Sequence, residues 1–139
     1  MLKSKAFRAA AVLLSLAVCT LANAQSSGAQ ARVSPLMTKP LAGIEGKEAL
    51  MLIVNYPPGV ASPPHRHKAN TFVYVLEGSV VMQVAGQPAM TLMEGQTFYE
   101  SPTDIHAVSR NASDTKPARI LVFMVKDQGA PATFPVTDH

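Results

Sequence analysis

The 139-residue sequence has one cysteine, no tryptophan and few charged residues, which make up 15% of the chain. The single cysteine, Cys19, has no partner for a disulfide within the chain, and no cysteine pair is available for a zinc site. An apolar content of 47% supports a hydrophobic core and argues against full-length disorder. The length corresponds to one compact domain.

The sequence also lacks an excess of positive charge once the first eight residues are left out of the count. The formal net charge of +3 comes from 12 Lys and Arg against 9 Asp and Glu, and Lys3, Lys5 and Arg8 lie at the very start. Without these three, nine basic residues face nine acidic ones, so no net field draws the chain to phosphate backbones. We therefore expect no nucleic-acid partner. A glycine-rich phosphate loop and a Gly-x-Ser-x-Gly motif are absent as well.

Residues 1–24 have the three-part pattern of a secretory signal peptide. The basic start is followed by an uncharged apolar stretch over residues 9–21, and Ala22-Asn23-Ala24 offers small residues to a signal peptidase. This stretch is shorter than the roughly 20 residues that span a bilayer. A membrane anchor and a lipoprotein signal on Cys19 are the alternatives. The pattern predicts a periplasmic or secreted protein that begins at Gln25 and has no membrane contact after cleavage.

The remaining chain divides into three parts by composition and pattern. Residues 25–41 are predicted as a flexible N-terminal segment, residues 42–126 as the folded domain and residues 127–139 as an extended C-terminal tail. Within the domain, short apolar runs alternate with turn residues at the spacing of an all-β sandwich or barrel. The expected strands are residues 48–56, 71–76, 80–84, 89–93, 96–100, 104–109 and 119–126.

Three of the four histidines carry the main chemical signal. His65 and His67 flank Arg66, and residues two apart on a strand point to the same face, so both imidazoles can converge on one point. His106 follows about 40 residues later in another predicted strand. Imidazole is a common ligand of transition metals, but a lone histidine is more often a surface or core residue and a single His-x-His pair is weak evidence for a metal site.

The sequence around His65 and His67 resembles the first motif of the cupin superfamily. The family form has Gly, five residues, His-x-His, three or four residues, Glu, six residues and Gly. Here Gly59, His65 and His67 keep that spacing, Thr71 stands in place of the Glu, and Gly78 follows it after six residues. The neutral hydroxyl of Thr71 is a poor ligand compared with a carboxylate.

The sequence around His106 resembles the second cupin motif, which runs Gly, five residues, Pro-x-Gly, two residues, His, three residues and Asn. Gly95, Pro102, His106 and Asn111 match it, with spacings that differ by one residue and with no Gly after Pro102. The resemblance covers about residues 42–125, nearly the whole predicted domain.

The resemblance implies a cupin-type jelly-roll β-barrel in a single all-β domain. It also implies that His65, His67 and His106 hold one divalent transition metal, which is zinc, copper, manganese, iron or nickel. Since Thr71 replaces the family's Glu, we expect the metal to have three histidine ligands and open coordination positions for water, substrate or dioxygen. Thr71 is then expected in the pocket wall. Three neutral imidazoles would leave the site with a net charge of +2, which favours an anionic ligand.

Three further residues are candidates for catalytic or supporting roles. Glu100 and Asp104 are candidates for a replacement ligand or for an acceptor of a histidine N–H. Tyr99 is a candidate for a hydroxyl at the site. Each also has a simpler interpretation, as a solvated charge or as an ordinary strand aromatic.

Two functions remain open from the sequence. The first is a mononuclear metal-dependent oxygenase of the dioxygenase type that acts on a small organic molecule. The alternative is a non-catalytic cupin that binds a metal or a small ligand, and a barrel with purely structural histidines is the third possibility. Redox activity of the metal separates the first two. The expected partners are a small-molecule ligand or substrate and, for the extended ends of the chain, a second copy in a homodimer.

Overall fold

The computed structural model describes residues 28–136, so the predicted signal peptide, Cys19 and His139 lie outside the described residues. Within the described part there is no helix, and hence none long and apolar enough to cross a membrane. The strands are β1 (Arg32–Pro40), β2 (Lys47–Tyr56), β3 (Ala61–Ser62), β4 (His65–Arg66), β5 (Asn70–Glu77), β6 (Ser79–Val84), β7 (Met90–Met93), β8 (Thr97–Glu100), β9 (His106–Asn111), β10 (Ala118–Asp127) and β11 (Phe134–Pro135).

The strands form two antiparallel sheets that share one hydrophobic core. The first sheet has the order β1-β2-β10-β5-β8, and the second has the order β11-β4-β9-β6-β7, with β3 also paired to β9. Apolar side chains of both sheets meet between them, including Leu52 and Val122 from the first and Val80 and Met82 from the second. The prediction of an all-β jelly-roll fold is confirmed.

Strict alternation along β5 places Thr71 inside the barrel. Thr71, Val73 and Val75 are buried, whereas the intervening Phe72 and Tyr74 are exposed on the outer face of the sheet. This is the period of two that a strand with one buried face requires. The same alternation along β8 buries Glu100 and exposes Tyr99.

A bulge in β9 changes which residues face the interior. Gln83 pairs with Val108 but Val84 pairs with His106, so Ala107 has no partner in β6. A bulge shifts the alternation by one residue. As a result His106 and Ser109 are both buried, although they are three positions apart and a regular strand would place them on opposite faces.

Two residues of the cupin-like motifs have structural roles. Gly78 has a φ of +72°, and a Cβ there would lie 2.5 Å from the Pro117 carbonyl oxygen, so only glycine is accommodated. The Asn111 side-chain amide donates to the carbonyls of Tyr56 and Pro57 at 3.1 Å and of Lys116 at 2.8 Å. Asn111 therefore joins the end of β2 to the loop that precedes β10.

The prediction of a flexible segment over residues 25–41 is wrong for residues 32–40. These residues form β1, which pairs along most of β2 at the edge of the first sheet. All nine residues are exposed, so the sequence offers no buried alternation to mark the strand. Pro35 and Pro40 also argue against a strand, yet an edge strand tolerates proline because one row of its N–H groups has no partner.

The C-terminal tail predicted over residues 127–139 turns back onto the barrel. Buried Lys126 donates to Glu48 and to the Ala130 carbonyl (2.6 Å), which fixes the turn after β10. The hydrogen bond from Lys126 lowers the pKa of the Glu48 carboxyl below its usual value. The tail then pairs with β4, with Phe134 opposite Arg66 and Pro135 opposite His65.

Candidate metal centre

The three predicted ligands meet at one point between the two sheets. His65 on β4 pairs directly with His106 on β9, and His67 lies just beyond the end of β4. Ring nitrogens of His65, His67 and His106 all lie within 4.8 Å of one another. The structure therefore brings together all three histidines that the sequence singled out.

Hydrogen bonds to backbone carbonyls fix the orientation of two of the rings. The Nδ1–H of His65 donates to the Pro63 carbonyl and the Nδ1–H of His67 donates to the Ala132 carbonyl, each at 2.8 Å. Because a carbonyl only accepts, Nδ1 carries the proton and Nε2 presents its lone pair in a neutral ring. Histidine ligands of metals are held in this way in general.

The two Nε2 atoms of His65 and His67 face each other at 3.2 Å. Two lone pairs at that distance repel unless a cation or a proton lies between them. Two nitrogens bound to one ion at about 2.1 Å are about 3.0 to 3.4 Å apart, which matches the observed separation. Burial lowers the pKa of His65, and its histidine neighbours lower it further against the effect of the Pro63 carbonyl. This direction favours the neutral ring of His65, the form that binds a metal.

Glu100 places a carboxylate beside the histidines. It lies directly opposite Thr71 in the pairing of β5 with β8, and both side chains are buried, with exposures of 2% and 0%. Its Oε1 lies 3.1 Å from Nδ1 of His106, and its Oε2 lies 3.7 Å from Nε2 of His67. A buried carboxylate therefore lies beside the histidines, on the strand that pairs with β5. Among the described residues, the ligand atoms that all lie within 4.8 Å of one another belong to the three histidines alone.

Several buried polar atoms of this site have no hydrogen-bond partner among the described residues. They are Oε1 of Glu100 and both ring nitrogens of His106. A buried polar atom left unpaired costs about 1–3 kcal/mol, and more for a charged group. A divalent cation bound to one ring nitrogen of His106 and to the Nε2 atoms of His65 and His67 would remove that cost for the nitrogen it binds, because the two nitrogens of an imidazole point in different directions. Nδ1 of His106 and Oε1 of Glu100 lie 3.1 Å apart, so a proton on Nδ1 would pair these two atoms. Three imidazoles and one carboxylate are ligands that zinc, copper, manganese, iron and nickel accept. The residues present therefore fit a divalent transition metal.

Asp104 and Tyr99 lie outside the site. Asp104 accepts a hydrogen bond from the backbone N–H of Ser101 (2.8 Å) and closes the turn before β9. Tyr99 is 50% exposed on the outer face, because its neighbour Glu100 faces inward, and its hydroxyl donates to Asn70 (2.7 Å). Of the three supporting candidates, only Glu100 reaches the histidines.

The structure adds polar groups that the sequence did not single out. The Tyr56 hydroxyl lies 2.6 Å from that of Ser109 and 3.2 Å from that of Ser62, and Ser109 donates to the sulfur of Met82 at 3.5 Å. We call Tyr56, Ser62 and Ser109 the hydroxyl cluster. The β9 bulge brings Ser109 inside, and a bulge has no clear signal in the sequence.

A cavity of about 430 Å³ connects the histidines to solvent. His65, His67, His106, Glu100 and Thr71 line one part of it, and the hydroxyl cluster lines another. Exposed residues of β1, of the loop before β4 and of the tail stand at its mouth, namely Val33, Pro63 and Thr133. The rest of the wall is apolar, with Leu52, Val54, Val73, Ile120, Val122 and Met124.

Shortening the tail to end at Pro131 will weaken metal binding. This change removes the Ala132 carbonyl that holds His67 but keeps the Ala130 carbonyl that accepts from Lys126. Loss of a group that orients a metal ligand lowers affinity about 10- to 100-fold. Calorimetric titration with Zn²⁺ measures the change. A chain that ends at Pro135 is the matched control, and equal affinities for the two truncations would contradict the role of Ala132.

Comparison with known proteins agrees with this geometry. The family model described as "Cupin domain" matches residues 52–124, just over half of the chain, so the chain belongs to the cupin family. No curated protein matches the sequence.

Solved structures show the same fold. An uncharacterized conserved protein with a double-stranded beta-helix domain from Klebsiella pneumoniae has a TM-score of 0.59 at 17% identity, over 76% of this chain and 84% of that one. DMSP lyase DddQ from Ruegeria pomeroyi has a TM-score of 0.54 at 23% identity, and covers 60% of this chain. Oxalate oxidase in complex with glycolate has a TM-score of 0.54 at 23% identity, and covers 62% of this chain. The chain spans less than half of these two enzymes, 41% and 45% of their chains.

Proposed function

We propose that the protein is a metal-dependent cupin oxygenase that acts on a small organic molecule. His65, His67, His106 and Glu100 hold its single divalent transition metal. The observation that carries this proposal is the buried Glu100 carboxylate beside three converging imidazoles, with unpartnered atoms on both sides. When bound, a redox-active metal would supply Lewis acidity and electrons for dioxygen chemistry.

The residues of the chain prepare this site for an organic ligand. The carbonyls of Pro63 and Ala132 hold His65 and His67 in the tautomer that presents Nε2. The Glu100 carboxylate reduces the net charge of a site with one divalent ion from +2 to +1. The largely apolar wall lowers the local dielectric constant, which strengthens electrostatic interactions at the metal end of the cavity.

A second candidate function is a metal-holding or ligand-binding cupin without turnover. One observation favours it. Apart from the metal-binding set, Tyr56 is the single titratable residue among the described residues that line the cavity. General acid–base chemistry would therefore rely on the metal site itself or on the ligand.

Oxygen uptake by the reconstituted protein separates the two functions. The chain from Gln25 onward, the start that the signal pattern predicts, is loaded in turn with Fe²⁺, Mn²⁺, Cu²⁺ and Zn²⁺. It is then supplied with phenolic, thiol, dicarbonyl and monocarboxylate compounds under air. We expect uptake with a redox-active metal that exceeds the uptake of His106→Ala treated in the same way. Stoichiometric metal without uptake by any combination would contradict the oxygenase and favour the binding function.

A further inference from the structure

The wall of the cavity has no group that could pair with a second negative charge. Among the described residues that line it there is no Lys, Arg, Asn or Gln. The polar residues are the metal-binding set, Thr71, Thr133 and the hydroxyl cluster, and the other lining residues are apolar. A buried charge needs a partner of opposite charge or a set of free hydrogen-bond donors. The hydroxyl cluster offers no free donor, because Ser109 donates to the Met82 sulfur, Tyr56 then donates to Ser109, and Ser62 donates to Tyr56. This wall therefore disfavours a second anionic group.

The metal end of the cavity can balance one negative charge. A divalent ion with neutral imidazoles and the single carboxylate of Glu100 has a net charge of +1. One oxygen anion of a ligand therefore neutralises this end. A second anion on the same ligand would lie against apolar side chains such as Val54 and Val122, or against the hydroxyl cluster, whose hydrogens are already donated.

Strand register places the polar parts of the cavity some distance apart. His65 pairs with His106, and Ser62 pairs with Ser109 on the same strand β9. Because of the bulge in β9, the partners of Ser109 and His106 on β6, Met82 and Val84, are only two positions apart, which corresponds to about 7 Å along a strand. Since a water molecule occupies about 30 Å³ of liquid, the cavity of about 430 Å³ accommodates a ligand of about a dozen non-hydrogen atoms.

We propose that the natural ligand is an amphipathic organic monoanion, with one oxygen anion directed to the metal and an uncharged apolar body along the wall. This inference rests on the proposed metal site and names the substrate class that the site takes. It excludes dicarboxylates of the same length, because their far carboxylate would meet neither a cation nor a free hydrogen-bond donor in the wall.

Octanoate and suberate are the probes for this class. They have the same chain length, and suberate carries a second carboxylate where octanoate carries a methyl group. Their dissociation constants for the Zn²⁺-loaded protein are measured by calorimetry. We expect octanoate to bind at least tenfold more tightly than suberate. Equal binding, tighter binding of suberate, or no binding of octanoate would overturn the inference.

A cation at the mouth will change this preference. Val33 lines the cavity and is 58% exposed, so Val33→Lys places an ammonium there without disturbing the core. We expect suberate to bind about tenfold more tightly to this variant, while octanoate changes little. Ile44→Lys is the control, because Ile44 is 53% exposed and lies outside the cavity lining. An equal gain for suberate with Ile44→Lys would contradict a role for the cavity wall.

Elemental analysis of the same samples separates this inference from the proposed function. A protein that holds no Zn²⁺ contradicts the metal site, and the octanoate-to-suberate ratio then still tests the apolar wall. A protein that holds Zn²⁺ but does not prefer octanoate contradicts the substrate class alone.

Discussion

Replacing His106 by leucine will abolish metal binding without destabilising the metal-free protein. His106 supplies one of the three converging imidazoles, so its loss should lower affinity for a divalent metal more than about 100-fold, the upper end for supporting groups. Both of its ring nitrogens are buried without a partner. Replacing an unpartnered buried polar group by an apolar one of similar size removes the cost of burying it, so we expect little change in the stability of the metal-free protein. Calorimetry with Zn²⁺ and thermal unfolding of the chelated proteins measure the two effects.

His65→Ala and His67→Ala test the other two imidazoles in the same titration, and each should lower metal affinity to a similar extent. His139→Ala is the control for histidines in general, and it should bind metal as the unaltered chain does. A loss of metal with His139→Ala as large as with His106→Ala would show that the assignment of the site is wrong. A large loss of metal-free stability in His106→Leu would instead indicate a structural histidine.

Replacing Glu100 by glutamine will distinguish a metal ligand from a hydrogen-bond acceptor. The amide oxygen of glutamine still accepts a hydrogen bond from a histidine ring, but a neutral amide is a weak ligand for a transition metal. If Glu100 binds the metal, Glu100→Gln should lower affinity by about 100-fold or more. If Glu100 only accepts a hydrogen bond from His106, the variant should keep most of its affinity. That second result would contradict the four-ligand site.

An exchange of two residues provides the positive test of the same idea. Thr71 and Glu100 face each other across β5 and β8 and are both buried. The double variant Thr71→Glu with Glu100→Thr moves the carboxylate to the position that the cupin motif has and keeps the total side-chain volume. We expect it to recover affinity to within about tenfold of the unaltered chain, while Glu100→Thr alone does not. Failure of the exchange in a folded protein would show that the carboxylate works only from β8.

Local sequence patterns predicted the strands that have one buried face. The seven predicted strands, beginning with residues 48–56 and ending with residues 119–126, agree with β2 and β5 to β10 in position. Most of them alternate or carry a buried apolar run that is visible in a short window, and β7 is marked instead by the turn residues on either side of it. The strand β1 was not predicted because it is exposed throughout. The strands β3, β4 and β11 were not predicted because each has only two residues.

The candidate site was predictable where it depended on spacing and not where it depended on register. His65 and His67 share a face through local geometry, and the resemblance added His106. That Glu100 stands opposite Thr71 follows from the pairing of β5 with β8, which joins residues far apart in sequence. The hydrogen bond from His67 to the Ala132 carbonyl depends on how the tail folds back onto the barrel. Every residue has a backbone carbonyl, so the sequence does not indicate which one accepts this bond.

Elemental analysis of the purified protein tests the central claim most directly. The chain from Gln25 onward is prepared without a chelator and without a metal-affinity tag, beside His106→Ala. We expect about one transition-metal ion per chain in the unaltered protein and almost none in the variant. No metal in the unaltered protein even after reconstitution, or equal metal in both proteins, would contradict it.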